Sequence, residues 1–425
     1  MNAALGVMEE KLANPTAERI RPGALGPLRE PLFRSLWLAA VISYIGTWMQ
    51  NVGAGWLMAS LTSSPLMVGL VQAAMALPVF LVVLPAGALA DVVDRRKLLL
   101  VTQLWMVVAA TALGILTLSR HITPWTLLLF TFILGLGAVM NDPAWQAITP
   151  EVVSRQNFPA AVALNSAGFN VARAVGPALG GLVIATAGSG AAFLLNGLSF
   201  FGVIIFLYRW QRSSDPVASS EQIFQALASG MRHFRESAAV KAVLVRTLMF
   251  SFAASAVLAL LPLIARPYGS VGFGTLLGFF GLGALLGTAL LSWLRHRLPM
   301  DATIAFATVL LATATILIGI AKSFPILCLL LFAGGIGWIH IVASLNISAQ
   351  TMCPVWLRAR ALSMYLLVLQ GGMAAGSATW GALALRGGMA RALLFAGCAL
   401  LLGLAAIPHF RLASSELPLG SAVQE

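Results

Sequence analysis

With 425 residues, 59% of them hydrophobic and only 9% charged, and a mean hydropathy of +0.91, the chain is too apolar for a soluble domain. Such a domain is about half apolar and a quarter charged. The formal charge of +12 invites a nucleic-acid partner, but the placement of the cations along the predicted elements excludes it.

A polar tail over 1–35 comes first; it holds Glu9, Glu10, Glu18 and several prolines without a short apolar core, so no cleavable signal peptide is expected. Apolar blocks follow at 36–57, 66–90, 98–119, 124–146, 162–187 and 191–209, which make a first bundle over 36–209. A linker over 210–240, rich in Ser and charge, separates them from blocks at 241–264, 272–294, 302–321, 325–349, 360–384 and 390–408, a second bundle over 241–410. Residues 411–425 form a second tail. Each block is near the length of about 20 residues that a helix needs to cross ~30 Å of hydrocarbon. Barrel strands would be about half as long and alternate in polarity, so the spans are helices. The predicted fold is an all-α membrane protein of twelve transmembrane helices.

If the N-terminus is cytoplasmic, 20 of the 26 Lys and Arg fall on the tail and the even-numbered loops, and five (Arg120, Arg266, Lys322, Arg386 and Arg391) on the opposite face. That asymmetry follows the positive-inside rule and predicts an inner-membrane protein with both termini in the cytoplasm. The basic charge is topology rather than a nucleic-acid footprint.

Span 1 carries Tyr44, Thr47, Trp48 and Asn51 at i, i+3, i+4, i+7 spacing, with Gln50 alongside. Between spans 2 and 3, five of the seven residues from Asp91 to Lys97 are charged. Span 4 holds Asn141 and Asp142, an acid inside a span. A carboxylate in a partly dry bundle can alternate between neutral and charged forms, which makes Asp142 a proton-site candidate. Trp56 and Trp125 are expected as interfacial belt anchors.

Arg173 lies half way along span 5, where an arginine costs ~2.5–3.5 kcal/mol on insertion scales and faces the bundle interior. It is either an anion-attracting substrate site or a satisfied internal arginine bonded to Asp142 or to carbonyls near Pro177. Pro177 allows a bend or hinge. His340 and Asn346 in span 10 and Gln370 in span 11 complete the interior polar set; His340 is a second proton candidate or hydrogen-bonded structure.

A shift of 200 residues aligns Gly87 with Gly287, Arg95 with Arg295, Gly135 and Gly137 with Gly335 and Gly337, and Gly176 and Gly181 with Gly376 and Gly381. Two six-helix halves of like orientation imply a pseudo-twofold along the membrane normal. Folds of this kind bind substrate near midplane between the halves.

These residues resemble the major facilitator superfamily. Its loop between helices two and three reads approximately G-x-L-A-D-x-x-G-R-R/K; Gly87, Leu89, Ala90, Asp91, Arg95, Arg96 and Lys97 match, with Asp94 in place of the glycine. The exporter-associated G-P-x-x-G-G of helix five is matched by Gly176, Pro177, Gly180 and Gly181, with Ala172 in place of its leading glycine. The stretches GTWMQNVGAGWLMASLTSSPLMVGL, NDPAW and ALNSAGFNVARAVGPALGG are similar to the secretion-effector branch, which includes siderophore exporters of the enterobactin type and macrolide efflux proteins.

The resemblance implies that spans 1, 4, 7 and 10 line a cavity. On that basis Tyr44, Thr47, Trp48, Gln50, Asn51, Asn141 and Asn346 are candidate substrate contacts, and Arg173 of span 5 and Gln370 of span 11 join them as interior polar residues. It also places Asp91 against the N-terminus of span 11 near residues 360–363, where a carboxylate is stabilised by roughly 0.3–2 kcal/mol. The adjoining Arg95 and Arg96 are expected to pair with Asp142 and Glu151. This cluster either latches the halves while the cavity faces outward or only anchors the loop at the lipid interface.

No lysine follows a glycine, so the phosphate-cradling G-K-[ST] is missing; no ATP, metal or cofactor is expected, and no catalysis. The favoured reading is a secondary transporter that exports a small amphipathic molecule, a siderophore or drug-like compound, by alternating access and proton antiport. The alternatives are a translocator of lysolipid or lipid-like substrates, and a membrane receptor or scaffold that does not transport.

Overall fold

The computed structural model describes residues 25–210, 238–295, 297–353, 358–405, 407 and 410. The predicted linker and most of both predicted tails therefore lie outside the described residues. Everything regular within them is helical. The first half contains α1 (Pro31–Leu61), α2 (Pro65–Val92), α3 (Arg95–Leu118) and α4 (Pro124–Ile148). A 52-residue stretch, Phe158–Arg209, then breaks at Gly188 into α5 (158–187) and α6 (189–209). The second half contains α7 (Ala238–Ile264), α8 (Gly269–Arg295), α9 (Met300–Ile318), α10 (Phe324–Thr351), α11 (Arg358–Gly387) and α12 (Met389–Leu404).

Ten stretches among the described residues are long and apolar enough to cross a membrane. The longest supplies two crossings, and the 16-residue α12 completes a set of twelve. Three helices begin on proline, at Pro31, Pro65 and Pro124, where the missing N–H costs nothing and φ is preset. The break at Gly188 has φ 81° and ψ 168°, and Gly388, between α11 and α12, has φ 85° and ψ 158°. Only glycine adopts that backbone without strain. The two positions are 200 residues apart, so the repeat extends to the backbone angles of equivalent turns.

The halves meet along two helix pairs, α2 with α11 and α5 with α8. The ends of these helices remote from the chain termini form the far face; the other end is the termini face. At the far face, small residues bring backbones together. A Cβ on Gly69 would stand 2.5 Å from the carbonyl oxygen of Ser377, and one on Gly181 2.6 Å from that of Ser270. Trp56 stacks on Phe273 across the seam at 6.3 Å; it packs between the halves rather than serving as the expected belt anchor. Towards the termini face these contacts cease. Gly87 has nothing within 4 Å of the Cβ it lacks, and Gly283 and Gly287 of α8 pack on α10 of their own half.

Candidate functional site

Between the halves lies a cavity of about 350 Å³. The first half lines it with Trp48, Asn51, Gln72, Met75 and Arg173; the second supplies Leu258, Phe273, Phe280, Trp338, Gln370 and Met373. The walls are apolar and aromatic with a few polar groups, the composition of a small-molecule pocket. Arg173 is half-buried and makes no hydrogen bond or ion pair with any described residue. Neither bond of the structural alternative, to Asp142 or to carbonyls near Pro177, is present among the described residues. Met373, its counterpart 200 residues on, lines the same cavity.

The helix-five motif explains how Trp48 comes to the wall. A Cβ on Gly176 would lie 2.6 Å from Cβ of Trp48, and one on Gly180 2.9 Å from Cα of Met49. Gly181 faces α8 instead. Small residues at this spacing let helices approach closely. The α5 helix runs through Pro177 without interruption, and its non-helical backbone sits at Gly188. The motif thus acts here as a packing surface, with helical backbone retained at Pro177.

A smaller cavity of about 180 Å³ lies inside the first half, lined by Thr47, Gln50, Asn51 and Asn196. Asn196 Nδ2 donates to Gln50 Oε1 at 2.5 Å, while Thr47 bonds the carbonyl of Ser43. Asn51 lines both cavities. Asn141 turns away from the central cavity and accepts from Gln103 Nε2 at 3.0 Å and Thr102 Oγ1 at 3.3 Å, a bond between α3 and α4. Asn346 accepts from Gln350 Nε2 at 2.6 Å along α10. These two asparagines, expected as substrate contacts, do not line the central cavity.

Closer to the termini face, Tyr44 meets Phe169 edge-on at 5.4 Å, and Trp48 approaches the same ring at 6.3 Å. Tyr44 lies within electrostatic reach of Asp142 and beside Trp145. Asp142 is reachable by water yet closely surrounded by protein, as in a cleft, and no ion pair joins it to a described residue.

The ionic loop resolves into three separate ties. Arg95 Nη1 donates to Glu151 Oε1 at 3.0 Å. Arg96, expected on Asp142 or Glu151, instead donates to the carbonyls of Leu207 and Tyr208 at 2.7 and 2.8 Å. Those are among the last carbonyls of α6, which lack helical partners and attract a cation. Asp94 caps α3 by accepting from the Lys97 N–H at 2.9 Å, a role the superfamily's glycine could not take. Asp91 belongs to the last turn of α2, but its side chain lies outside what the structure describes.

His340 is buried, with Nδ1 2.8 Å from the carbonyl oxygen of Ile336 and Nε2 without a partner among the described residues. It lines a small apolar hollow among α8, α9 and α10 rather than the central cavity.

Sequence reasoning missed three features. Gln72, a lone polar residue in an apolar span, and Trp338 both line the cavity; the polarity of Gln72 was the available signal. Glu30 ties the start of α1 to the α4–α5 connection, accepting from Ser154 N at 3.1 Å, Ser154 Oγ at 2.9 Å and Asn157 Nδ2 at 2.7 Å. Arg246, buried in α7, pairs with Asp301 at the start of α9. No periodicity announces either tie.

Comparison with known proteins is consistent with this architecture. A family model described as transmembrane secretion effector matches residues 22–421. The enterobactin exporter EntS of Escherichia coli O9:H4 (strain HS) is 27% identical over 399 residues, covering 90% of this chain and 94% of that protein. The staphyloferrin A transporter of Staphylococcus aureus (strain NCTC 8325 / PS 47) is 21% identical over 257 residues, 60% of this chain and 65% of that one. Among solved structures, a bacterial homolog of the human lysosomal transporter Spinster, inward-facing and unoccupied, superposes with a TM-score of 0.69 at 14% identity, covering 90% of this chain and 96% of that one. The nucleoside transporter NupG does so with 0.68 at 12% identity, covering 89% and 99%.

Proposed function

The chain belongs to the transmembrane secretion effector family of the major facilitator superfamily, and from that premise we propose that it exports a small amphipathic molecule by alternating access, driven by proton antiport. The observation that carries this reading is the cavity between the halves with an unpaired arginine in its wall. An isolated buried cation is costly unless a counter-charge arrives, so Arg173 is assigned to an anionic group of the substrate. Trp48, Phe273 and Trp338 are assigned to its apolar body. Relatives named for enterobactin and staphyloferrin A support a siderophore as the cargo class.

In this reading the termini face is cytoplasmic, following the positive-inside asymmetry, and the cleft is open to the cytoplasm. Asp142, in its cleft near that face, is assigned to the proton. Asp91, Arg95 and Glu151 are assigned to a latch that forms when the termini face closes. Everted vesicles loaded by a panel of siderophores and aromatic anions, with and without a proton uncoupler, test the proposal. Uptake that collapses with uncoupler is the expected result. Uptake indifferent to uncoupler removes the antiport, and no uptake of any panel member removes export.

A further inference from the structure

We infer that the substrate path holds a second charged subsite, of opposite sign to Arg173, and that its ligand is an amphipathic zwitterion. The inference rests on the export reading and deepens it.

Two titratable side chains of unlike sign stand along this path, Arg173 in the cavity wall and Asp142 within reach of Tyr44, one turn from the cavity-lining Trp48, and they do not pair with each other or with any described residue. Arg173 stands about four turns into α5 from the termini face. Asp142 is under two turns from the termini-face end of α4. The anion-accepting group is therefore deep and the carboxylate is nearer the mouth. Between them stand aromatic rings. Phe169, one turn below Arg173 on α5 and 43% exposed, touches both Tyr44 and Trp48. Tyr44 in turn lies in reach of Asp142, with Trp145 beside it. A carboxylate with aromatic side chains near it is the chemistry that holds an ammonium group, through charge and cation–π attraction together.

An unpaired charge withdrawn from bulk water is unfavourable, and two of them in one cleft ordinarily collapse into an ion pair. Here packing keeps them apart: Arg173 is carried by α5 against α8, where a Cβ on Gly281 would meet its carbonyl oxygen at 3.0 Å, while Asp142 is carried by α4. A single ligand bearing both signs satisfies each without bringing net charge into the cleft. A purely anionic ligand leaves Asp142 unmatched and is repelled by it on entry. A purely cationic one leaves Arg173 unmatched.

The test uses the full chain in lipid nanodiscs and three probes with one phenylbutyl body: phenylbutyl phosphocholine, phenylbutyl phosphate and phenylbutyl trimethylammonium. Binding is read from quenching of intrinsic tryptophan fluorescence. The phosphocholine probe is expected to bind about tenfold tighter than the phosphate probe. Asp142→Asn and Phe169→Leu should each erase that advantage, Asp142→Asn by weakening phosphocholine and relieving the repulsion of phosphate, Phe169→Leu by weakening phosphocholine alone; retained phosphate binding also shows that the variants are folded. Phosphate binding as tight as phosphocholine in the unmodified protein, an advantage that survives Asp142→Asn, or no binding of any probe overturns the inference. Uptake of the same probes into everted vesicles separates the two proposals. Binding with a zwitterion advantage but without uptake removes export alone; uptake without that advantage removes the second subsite alone.

Discussion

The two halves repeat one backbone but not one chemistry. Gly188 and Gly388 turn with nearly the same φ and ψ at equivalent positions, and the α2–α11 and α5–α8 seams are equivalent pairs. The mouth of the cleft is another matter. Tyr44, Asp142, Phe169 and Arg173 have Leu244, Val342, Leu369 and Met373 as their counterparts 200 residues on. The fold thus repeats the seams between the halves, while Arg173, the charged residue in the cavity wall, belongs to the first half. The second half contributes aromatic and aliphatic wall, from Phe273, Phe280 and Trp338.

The largest effect is expected where the symmetric part is broken. Gly69→Val puts a branched side chain against the Ser377 carbonyl oxygen on the closed far face. Overpacking of this kind costs ~1–3 kcal/mol, which shifts a two-state balance by about 5–150-fold. The state with the far face closed should lose population, seen as faster labelling of a cysteine placed at the far end of α2. Gly181→Val, on the other seam, should act in the same direction because Gly181 meets Ser270 as closely. Opposite responses of the two variants would show that the seams are not equivalent.

A smaller loss is expected from making the chemistry symmetric. Arg173→Met gives both halves the same residue at this position and should weaken an anionic aromatic ligand about 10–100-fold, the value of a charge-assisted hydrogen bond of ~1.5–3 kcal/mol, with neutral ligands little affected. Adding Met373→Arg moves the cation across the cavity, since both positions line it. Partial recovery of anion binding in the double variant would mean that charge in the cavity matters more than its side. No recovery would mean that the first-half aromatics fix where the anion lies. Equal losses for anionic and neutral ligands in Arg173→Met would return Arg173 to a structural role. Titration calorimetry in nanodiscs checks each arm.

The difference between the halves also marks what could be read in advance. Helix number, the 200-residue repeat and the oddity of Arg173 follow from hydropathy, spacing and the cost of a buried charge, all local quantities. Which polar residues face the cavity does not. Asn141 and Asn346 sit on cavity-lining helices by family pattern, yet each bonds a neighbour instead, because a half-buried amide takes whatever partner packing brings within reach. Arg96 was expected on a carboxylate and found the last carbonyls of α6. Those acceptors exist only once α3 and α6 are side by side, 111 residues apart in the chain. The non-local step, more than any residue preference, separates the legible part from the rest.

The smallest effect concerns a tie whose second-half counterpart lies outside the described residues. Glu30 holds Ser154 and Asn157 at the start of α5. The Asn157 side-chain bond, followed by the bonds from Ser154, holds its carboxyl below the usual value of 4.5, against a smaller opposing effect of burial. A depressed acid stabilises the folded form above about pH 4.5 and loses that contribution as pH falls through its folded value. Because the group is half-exposed, the contribution is under about 1 kcal/mol. Glu30→Gln should therefore lower the thermal midpoint slightly at pH 7, with the gap to the unmodified protein closing below pH 4. A gap of constant size across that range would mean that shape and hydrogen bonding, not charge, make the tie. A larger gap at low pH would reverse the sign and refute the assignment.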